Sequence, residues 1–208
     1  TIPEELPIVI TMVLGLGSYT LSKNKFLVKK IKAAEILGNA TVIVTDKTGT
    51  ITENKMKIAT LFPENKKEII EKAMGAVTDF SVSPIDKEIL ADAEKLKIGA
   101  NTGEVVGQRN FDDGRKTKSV IRKTGKGYTL FASGAPEEIF GMCGKQDEST
   151  IKKLEEETSK GRRVIAVAYK EIGSLDKKID FSKLEKGLSL AGIISFEDPP
   201  RAGVADTI

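Results

Sequence analysis

The sequence predicts an α/β fold whose larger part is built on an antiparallel sheet, and three observations carry that prediction. The β-branched run Thr41-Val42-Ile43-Val44-Thr45 reads as a buried strand ending in a polar, glycine-containing loop. Two segments, after Pro63 and after Pro84, repeat apolar residues at helical spacing. From Asn101 onward, short strand-like runs alternate with glycine-containing turns, the pattern of a meander.

The elements come in order along the chain. Leu6 to Leu21 carries no charge, is rich in Ile, Val, Leu, Gly and Thr, and is followed by Lys23, Lys25, Lys29, Lys30 and Lys32. A full membrane span needs about 20 such residues, so the stretch is short for one, and its leader, Glu4 and Glu5, has the wrong charge for a signal peptide. It reads either as a buried core helix or as the cytoplasmic half of a membrane helix with a basic flank. The strand 41–45 comes next, then the loop Asp46-Lys47-Thr48-Gly49-Thr50. The helix after Pro63 gathers Ile69, Ile70, Ala73, Met74 and Val77 on one face, and the helix after Pro84 gathers Ile85, Ile89, Leu90, Ala93 and Leu96. Residues 105–111, 117–123 and 128–131 form the meander. Pro136 suits the first position of a helix, another helix covers about 147–160, and strands at 163–169 and 188–196 precede Asp198-Pro199-Pro200-Arg201.

Composition narrows the chemistry. The 208 residues include 33 Lys+Arg and 30 Asp+Glu, a net charge of +3 that is too small and too mixed to point to nucleic acid. With 39% hydrophobic and 30% charged residues, the chain has the make-up of a globular protein. One cysteine, Cys143, makes no internal disulfide. The absence of histidine excludes Ser-His-Asp and Cys-His catalysis, imidazole bases and His-liganded metals. Carboxylates, lysines, hydroxyls and backbone remain. The chain starts at Thr1 and stops at Ile208, and reads as a piece of something longer.

An aspartate where a buried strand meets a loop is well placed as a nucleophile, because α/β sheets bind ligands beyond the carboxyl ends of their strands. Asp46 can accept a phosphoryl group as an aspartyl-phosphate. Lys47 and a Mg²⁺ ion would offset the charge of the incoming phosphate, Gly49 allows close backbone approach, and Thr48 and Thr50 offer hydroxyls. Asp-Lys-Thr-Gly taken by itself is also an ordinary turn composition.

The longer segment Asp46-Lys47-Thr48-Gly49-Thr50-Ile51-Thr52 resembles the phosphorylation motif D-K-T-G-T-[LI]-T of the P-type ATPases. Pro3-Glu4-Glu5-Leu6-Pro7 is similar to the P-E-x-L-P of the fourth membrane helix in the calcium-pump-like, cation-transporting branch. Phe111 with Arg115-Lys116 resembles F-x-x-x-R-K, Ser133-Gly134-Ala135-Pro136-Glu137 resembles K-G-A-P-E, and Gly161-Arg162-Arg163-Val164 resembles the segment carrying a nucleotide-contacting arginine. Asp198-Pro199-Pro200-Arg201 resembles the D-P-P-R at re-entry into the phosphorylation domain.

The resemblance implies a haloacid-dehalogenase-like phosphorylation domain, incomplete here, with an inserted α+β nucleotide-binding domain on an antiparallel sheet. Residues 1–21 would be the cytoplasmic half of a membrane helix, 22–59 the first part of the phosphorylation domain, 60–195 the nucleotide-binding domain and 196–208 the start of the second part. It further implies ATP and Mg²⁺ as cofactors. Asp46, Lys47 and Thr48 would form the catalytic group, with Asp46 and the Thr48 carbonyl on Mg²⁺. Phe111 would stack on adenine, with Asp86 nearby; Lys116 and Arg163 would contact the nucleotide, and Ser133, Gly134, Asp198 and Arg201 would complete the ATP site. Glu4 would offer a hard oxygen to a calcium-like transported cation. The implied location is a cell membrane, with residues from about 22 onward cytoplasmic, and self-association through 6–21 would be another way to cover that apolar stretch. Each residue also has a plainer reading: Phe111 as a core aromatic, Lys116 and Arg163 as a solvated face, Asp86 as a helix N-terminal charge.

Two departures stand out. Ser133 replaces the lysine of K-G-A-P-E and supplies no charge, and neither T-G-D nor G-D-G-x-N-D occurs in the chain, so the chain by itself is expected not to phosphorylate Asp46. Soluble haloacid-dehalogenase-like phosphatases carry D-x-D, whose second Asp is a general acid/base; Thr48 stands at that position and favours a lasting phosphoenzyme over simple hydrolysis. A soluble phosphatase and a non-catalytic nucleotide-binding module are the alternatives.

Overall fold

In a computed structural model of the chain, residues 5–78, 83–99, 103–125, 127–176 and 179–207 are described. The chain divides into two units, Thr1–Asp46 and Lys47–Ile208.

The first unit contains helices α1 (Leu6–Lys23) and α2 (Ile31–Gly38). None of the residues of α1 is buried, and its 18 residues are apolar enough to cross a membrane by length and composition. The Thr11 and Thr20 hydroxyls donate back to the carbonyls of Pro7 and Leu16 at 2.8 and 3.0 Å, so these polar groups are satisfied inside the helix. The expected strand at 41–45 does not form: the segment is irregular and solvent-facing, with Val44 93% exposed. A β-branched run becomes a buried strand only when neighbours pair both edges and helices cover the faces, and among the described residues no strand pairs with 41–45.

The second unit begins with a tight loop, Lys47–Ile51, in which Gly49 has φ +81°, a left-handed conformation that glycine adopts without steric cost. Among the described residues six strands come after it: β1 (Lys57–Phe62), β2 (Val105–Asp112), β3 (Thr117–Thr124), β4 (Gly127–Gly134), β5 (Arg163–Ile172) and β6 (Ser189–Glu197). They form one antiparallel sheet in the order β1-β6-β5-β4-β3-β2. β1 was not expected from the sequence, and it crosses the anticipated boundary at 59/60. Helices α3 (Lys66–Gly75), α4 (Pro84–Lys95), α5 (Pro136–Cys143) and α6 (Glu148–Ser159) complete the domain with two short turns of helix, α7 (Phe181–Leu184) and α8 (Val204–Thr207).

Strand alternation builds two cores. Ile165 and Val167 face α3 and α4, where they join Ile69, Ile70, Ala73, Met74, Ile89 and Ala93. Val164, Ala166 and Ala168 face the other way and pack with Ile139 of α5. The expected face of α3 is buried, although Val77 lies past the helix end at Gly75, whereas Leu90 of α4 is 43% exposed. Arg122 of β3 donates to the carbonyls of Gly75 at 2.9 Å and Val77 at the end of α3, where helix carbonyls lack partners, and to that of Gly103 before β2 at 2.9 Å.

A buried carboxylate, Glu157 of α6, is 1% exposed and closes a charged cluster. It accepts from Arg162 at 2.8 Å, Ser195 at 2.7 Å and Lys160 at 3.1 Å, while Arg162 also reaches Glu197 at 2.9 Å. Burial opposes ionisation of Glu157, but the hydrogen bonds from Arg162, Ser195 and Lys160 outweigh it and hold its pKa at about 2.

Candidate functional site

A cavity of about 460 Å³ opens on the α3/α4 side of the sheet, beside the N-terminus of α4. Six residues singled out from motifs scattered along the chain line it: Asp86, Phe111, Lys116, Ser133, Gly134 and Arg163.

Each arrives by a local cause. Ser83 precedes Pro84 at the start of α4, so Asp86 falls in the first helical turn, where the helix dipole favours an anion. Asp86 is only 4% exposed and pairs with Lys118 of β3 at 2.5 Å. Phe111, near the end of β2, is 52% exposed, so its ring belongs to the cavity and not to either core. Lys116 sits in the β2–β3 turn at φ +52°, an uncommon conformation for a side-chain-bearing residue. Its carbonyl accepts from the amide of Ala135 at 2.9 Å. Gly134 pairs with Thr117 across β3 and β4; a Cβ at Gly134 would lie 2.3 Å from the Lys116 carbonyl oxygen, so only glycine lets the backbones approach this closely. Ser133 is buried at the cavity wall, and Arg163 opens β5.

Lys118, Asp113, Ile85 and Ile165 also line the cavity; none of them is a site candidate in the sequence, where Ile85 counts only as part of a helix face. Lys118 had one available signal: it is a lone lysine on the inward-facing register of a strand whose neighbours Val120 and Ile121 are buried. Three cations, Lys116, Lys118 and Arg163, stand against two carboxylates, Asp86 and Asp113, which gives an excess of positive charge. Arg162, next to Arg163, turns away into the Glu157 cluster. A larger cavity of about 860 Å³ lies toward the opposite end of β4, among Lys67, Lys72, Lys97 and Tyr128, and holds none of the motif residues.

Asp198 and Arg201 do not line the cavity, against the expectation that they join the ATP site. They clamp the Lys47–Ile51 loop and the residues after it. Asp198 accepts from the Thr52 hydroxyl at 2.5 Å and from the Lys55 amide at 3.1 Å. Arg201 donates to the carbonyls of Thr52 at 3.1 Å and Gly49 at 3.0 Å. The Gly49 amide in turn donates to the Thr52 hydroxyl at 3.1 Å. Carbonyls in a tight loop need donors, and a guanidinium offers a rigid set. Asp46 and Lys47 are exposed on either side of the division between the two units, and Thr48 is exposed in the loop. Among the described residues no cluster of three or more acidic or thiol side chains could hold a metal. One carboxylate and one carbonyl would suit Mg²⁺, which keeps waters and draws its other ligands from phosphate. Glu4 lies outside the described residues.

The crystal structure of a zinc-transporting PIB-type ATPase in an E2.Pi state matches with a TM-score of 0.58 and 20% identity, covering 96% of this chain and 28% of that one. The family model described as P-type ATPase, cytoplasmic domain N, matches residues 51–203, and the chain belongs to that family. Among curated relatives, a putative plasma-membrane-type calcium-transporting ATPase of Arabidopsis thaliana is 31% identical over all of this chain and 25% of its own length. A calcium-transporting ATPase of Lactococcus lactis is 30% identical over 100% and 28%, and a probable cation-transporting P-type ATPase of Mycoplasma genitalium is 29% identical over 96% and 25%. The chain thus spans about a quarter of the length of the curated relatives it matches.

Proposed function

We propose that this chain is the ATP-binding and phosphoryl-accepting cytoplasmic portion of an ATP-driven cation pump, with a calcium-like cation as cargo. The observation that carries the reading is the convergence of Asp86, Phe111, Lys116, Ser133, Gly134 and Arg163, distant in sequence, on one cavity of about 460 Å³, a size suited to a small-molecule ligand.

Adenine stacks on the exposed Phe111 ring, where every purine has a π-face to offer. Lys116 and Arg163, both at the exposed rim, meet the phosphates. In the intact protein an Asp46 carboxylate oxygen attacks the γ-phosphorus, the bond from that phosphorus to the β–γ bridging oxygen breaks, and ADP leaves with the electron pair. Asp46 and the Thr48 carbonyl would hold Mg²⁺, which would offset the phosphate charge. Asp198 and Arg201 act one step away, by fixing the Lys47–Ile51 loop. With Thr48 two residues after the nucleophile, no neighbouring carboxylate serves as base for hydrolysis, which favours an energy-coupling intermediate. The haloacid-dehalogenase-like domain, the membrane anchoring through α1 and the cytoplasmic position of the residues beyond that helix belong to the same reading, with the inserted domain starting no later than β1 at Lys57.

Isothermal titration of the chain with ATP tests it. Binding is expected, weakened about tenfold by Phe111→Ala, in line with the worth of one base–aromatic stack. Failure of the unsubstituted chain to bind ATP overturns the reading.

A further inference from the structure

The K-G-A-P-E resemblance leaves the cavity short of an ammonium group, because Ser133 stands where the lysine would be. The sheet register points to where that charge went. Lys118 of β3 is the direct antiparallel partner of Ser133 of β4. Directly paired residues project to the same face with Cβ atoms about 5 Å apart, so a lysine on either strand delivers its ammonium to the same volume. Both residues line the cavity. Lys118 is 16% exposed, and its Nζ lies 2.5 Å from Asp86 Oδ1. An ammonium has three donors; among the described residues the Lys118 ammonium bonds no acceptor besides Asp86.

We propose that Lys118 replaces the missing lysine of position 133 and contacts the base of the bound nucleotide, donating to a purine ring nitrogen while Asp86 holds it in place. This rests on the nucleotide reading above and deepens it. The assignment to the base comes from placement. Lys118 is recessed and already paired with a carboxylate, which weakens its pull on a distant phosphate, whereas Lys116 and Arg163 are exposed at the rim. A desolvated ammonium facing the cavity wall acts over hydrogen-bond distance, which suits the edge of a stacked ring.

The test is calorimetric titration of the chain with ATP and, separately, with adenosine. Lys118→Met is expected to weaken both ligands by the same factor, about tenfold, as for loss of one charged hydrogen bond. The exchange variant Lys118→Met/Ser133→Lys is expected to recover both to within about threefold, because it returns the ammonium from the facing strand and keeps a partner for Asp86. Arg163→Ala is expected to weaken ATP and leave adenosine unchanged.

Unchanged binding by Lys118→Met overturns the proposal, as does a loss confined to ATP, which would make Lys118 a phosphate contact. If Lys118→Met does not fold, judged by circular dichroism, the exchange variant decides alone: wild-type-like binding of both ligands supports the proposal and absent binding overturns it. Phe111→Ala separates the two levels of inference. If that substitution weakens ATP while Lys118→Met does not, the nucleotide site stands and the role of Lys118 falls. If the unsubstituted chain binds neither ligand, both fall.

Discussion

Glu157 and Asp86, two of the buried carboxylates, differ in what their partners have left to give. Glu157 is surrounded: Arg162, Ser195 and Lys160 all bond it, and Arg162 spends its remaining reach on Glu197. Asp86 pairs with Lys118, whose remaining donors face a cavity. Burial of charge marks both places, so burial alone does not find a site. The distinction lies in unused hydrogen-bonding capacity beside open space. The cluster around Glu157 is closed on itself, whereas the Lys118 ammonium keeps donors facing open space.

The largest expected effect is on the closed side. Glu157→Ala strips the shared acceptor from a buried charged cluster and is expected to cost about 3–5 kcal/mol, read by denaturant unfolding. ATP affinity of the fraction that remains folded should change less than twofold. A parallel loss of affinity would mean that the cluster and cavity are coupled and the contrast is false. Acid sharpens the point. The carboxyl pKa is lowered from 4.5 to about 2 in the folded state, so the stabilisation due to its charge is complete above 4.5 and is lost as pH falls from there toward 2. The stability gap between the wild type and Glu157→Gln should therefore be widest near neutrality and close on acidification; a gap that is constant with pH would contradict the assignment.

How far these places could be read in advance depends on the range of the interactions that make them. The α3 face was legible because Ile69, Ile70, Ala73 and Met74 recur at three- and four-residue steps, a local signal that burial follows. The cavity residues were legible through short motifs, each a few residues long. Lys118 was not, because its importance comes from lying across β3 and β4 from Ser133, a relation of register and not of sequence. β1 escaped notice for the same reason: Lys57–Phe62 carries a weak alternation, and its partner β6 lies more than a hundred residues away. The run 41–45 misled in the opposite direction, since its β propensity is strong but no neighbouring strand pairs with it among the described residues. Asp198 and Arg201 were recognised as a motif, and their side chains bond the loop after Asp46 and do not line the cavity.

Next in size is Gly134→Ala, which attacks the cavity side through its backbone. The added Cβ would meet the Lys116 carbonyl oxygen at 2.3 Å and the Thr117 Cα at 2.7 Å, atoms of a paired strand with little room to retreat. A cost of about 1–3 kcal/mol is expected in unfolding experiments, as for overpacking elsewhere. Because Lys116 must shift to relieve the clash, ATP affinity should fall severalfold as well, unlike the outcome for Glu157→Ala. Stability loss with intact affinity would show that the β2–β3 turn does not position Lys116 for the ligand.

The smallest effects come from two buried serines on the same sheet, and they bear most directly on the contrast. Ser195 donates to Glu157 at 2.7 Å, so Ser195→Ala removes one bond to a charged acceptor that keeps Arg162 and Lys160; a loss of about 1 kcal/mol is expected, with ATP binding unaffected. Ser133 makes no side-chain hydrogen bond among the described residues, and its partner across the ladder, Lys118, carries the charge of the wall. Ser133→Ala should then alter stability by no more than about 0.5 kcal/mol and leave ATP affinity within about twofold. Were Ser133→Ala to cost binding as heavily as Lys118→Met, the serine itself would be the ligand contact, and the cavity would depend on β4 where we assign that contact to β3.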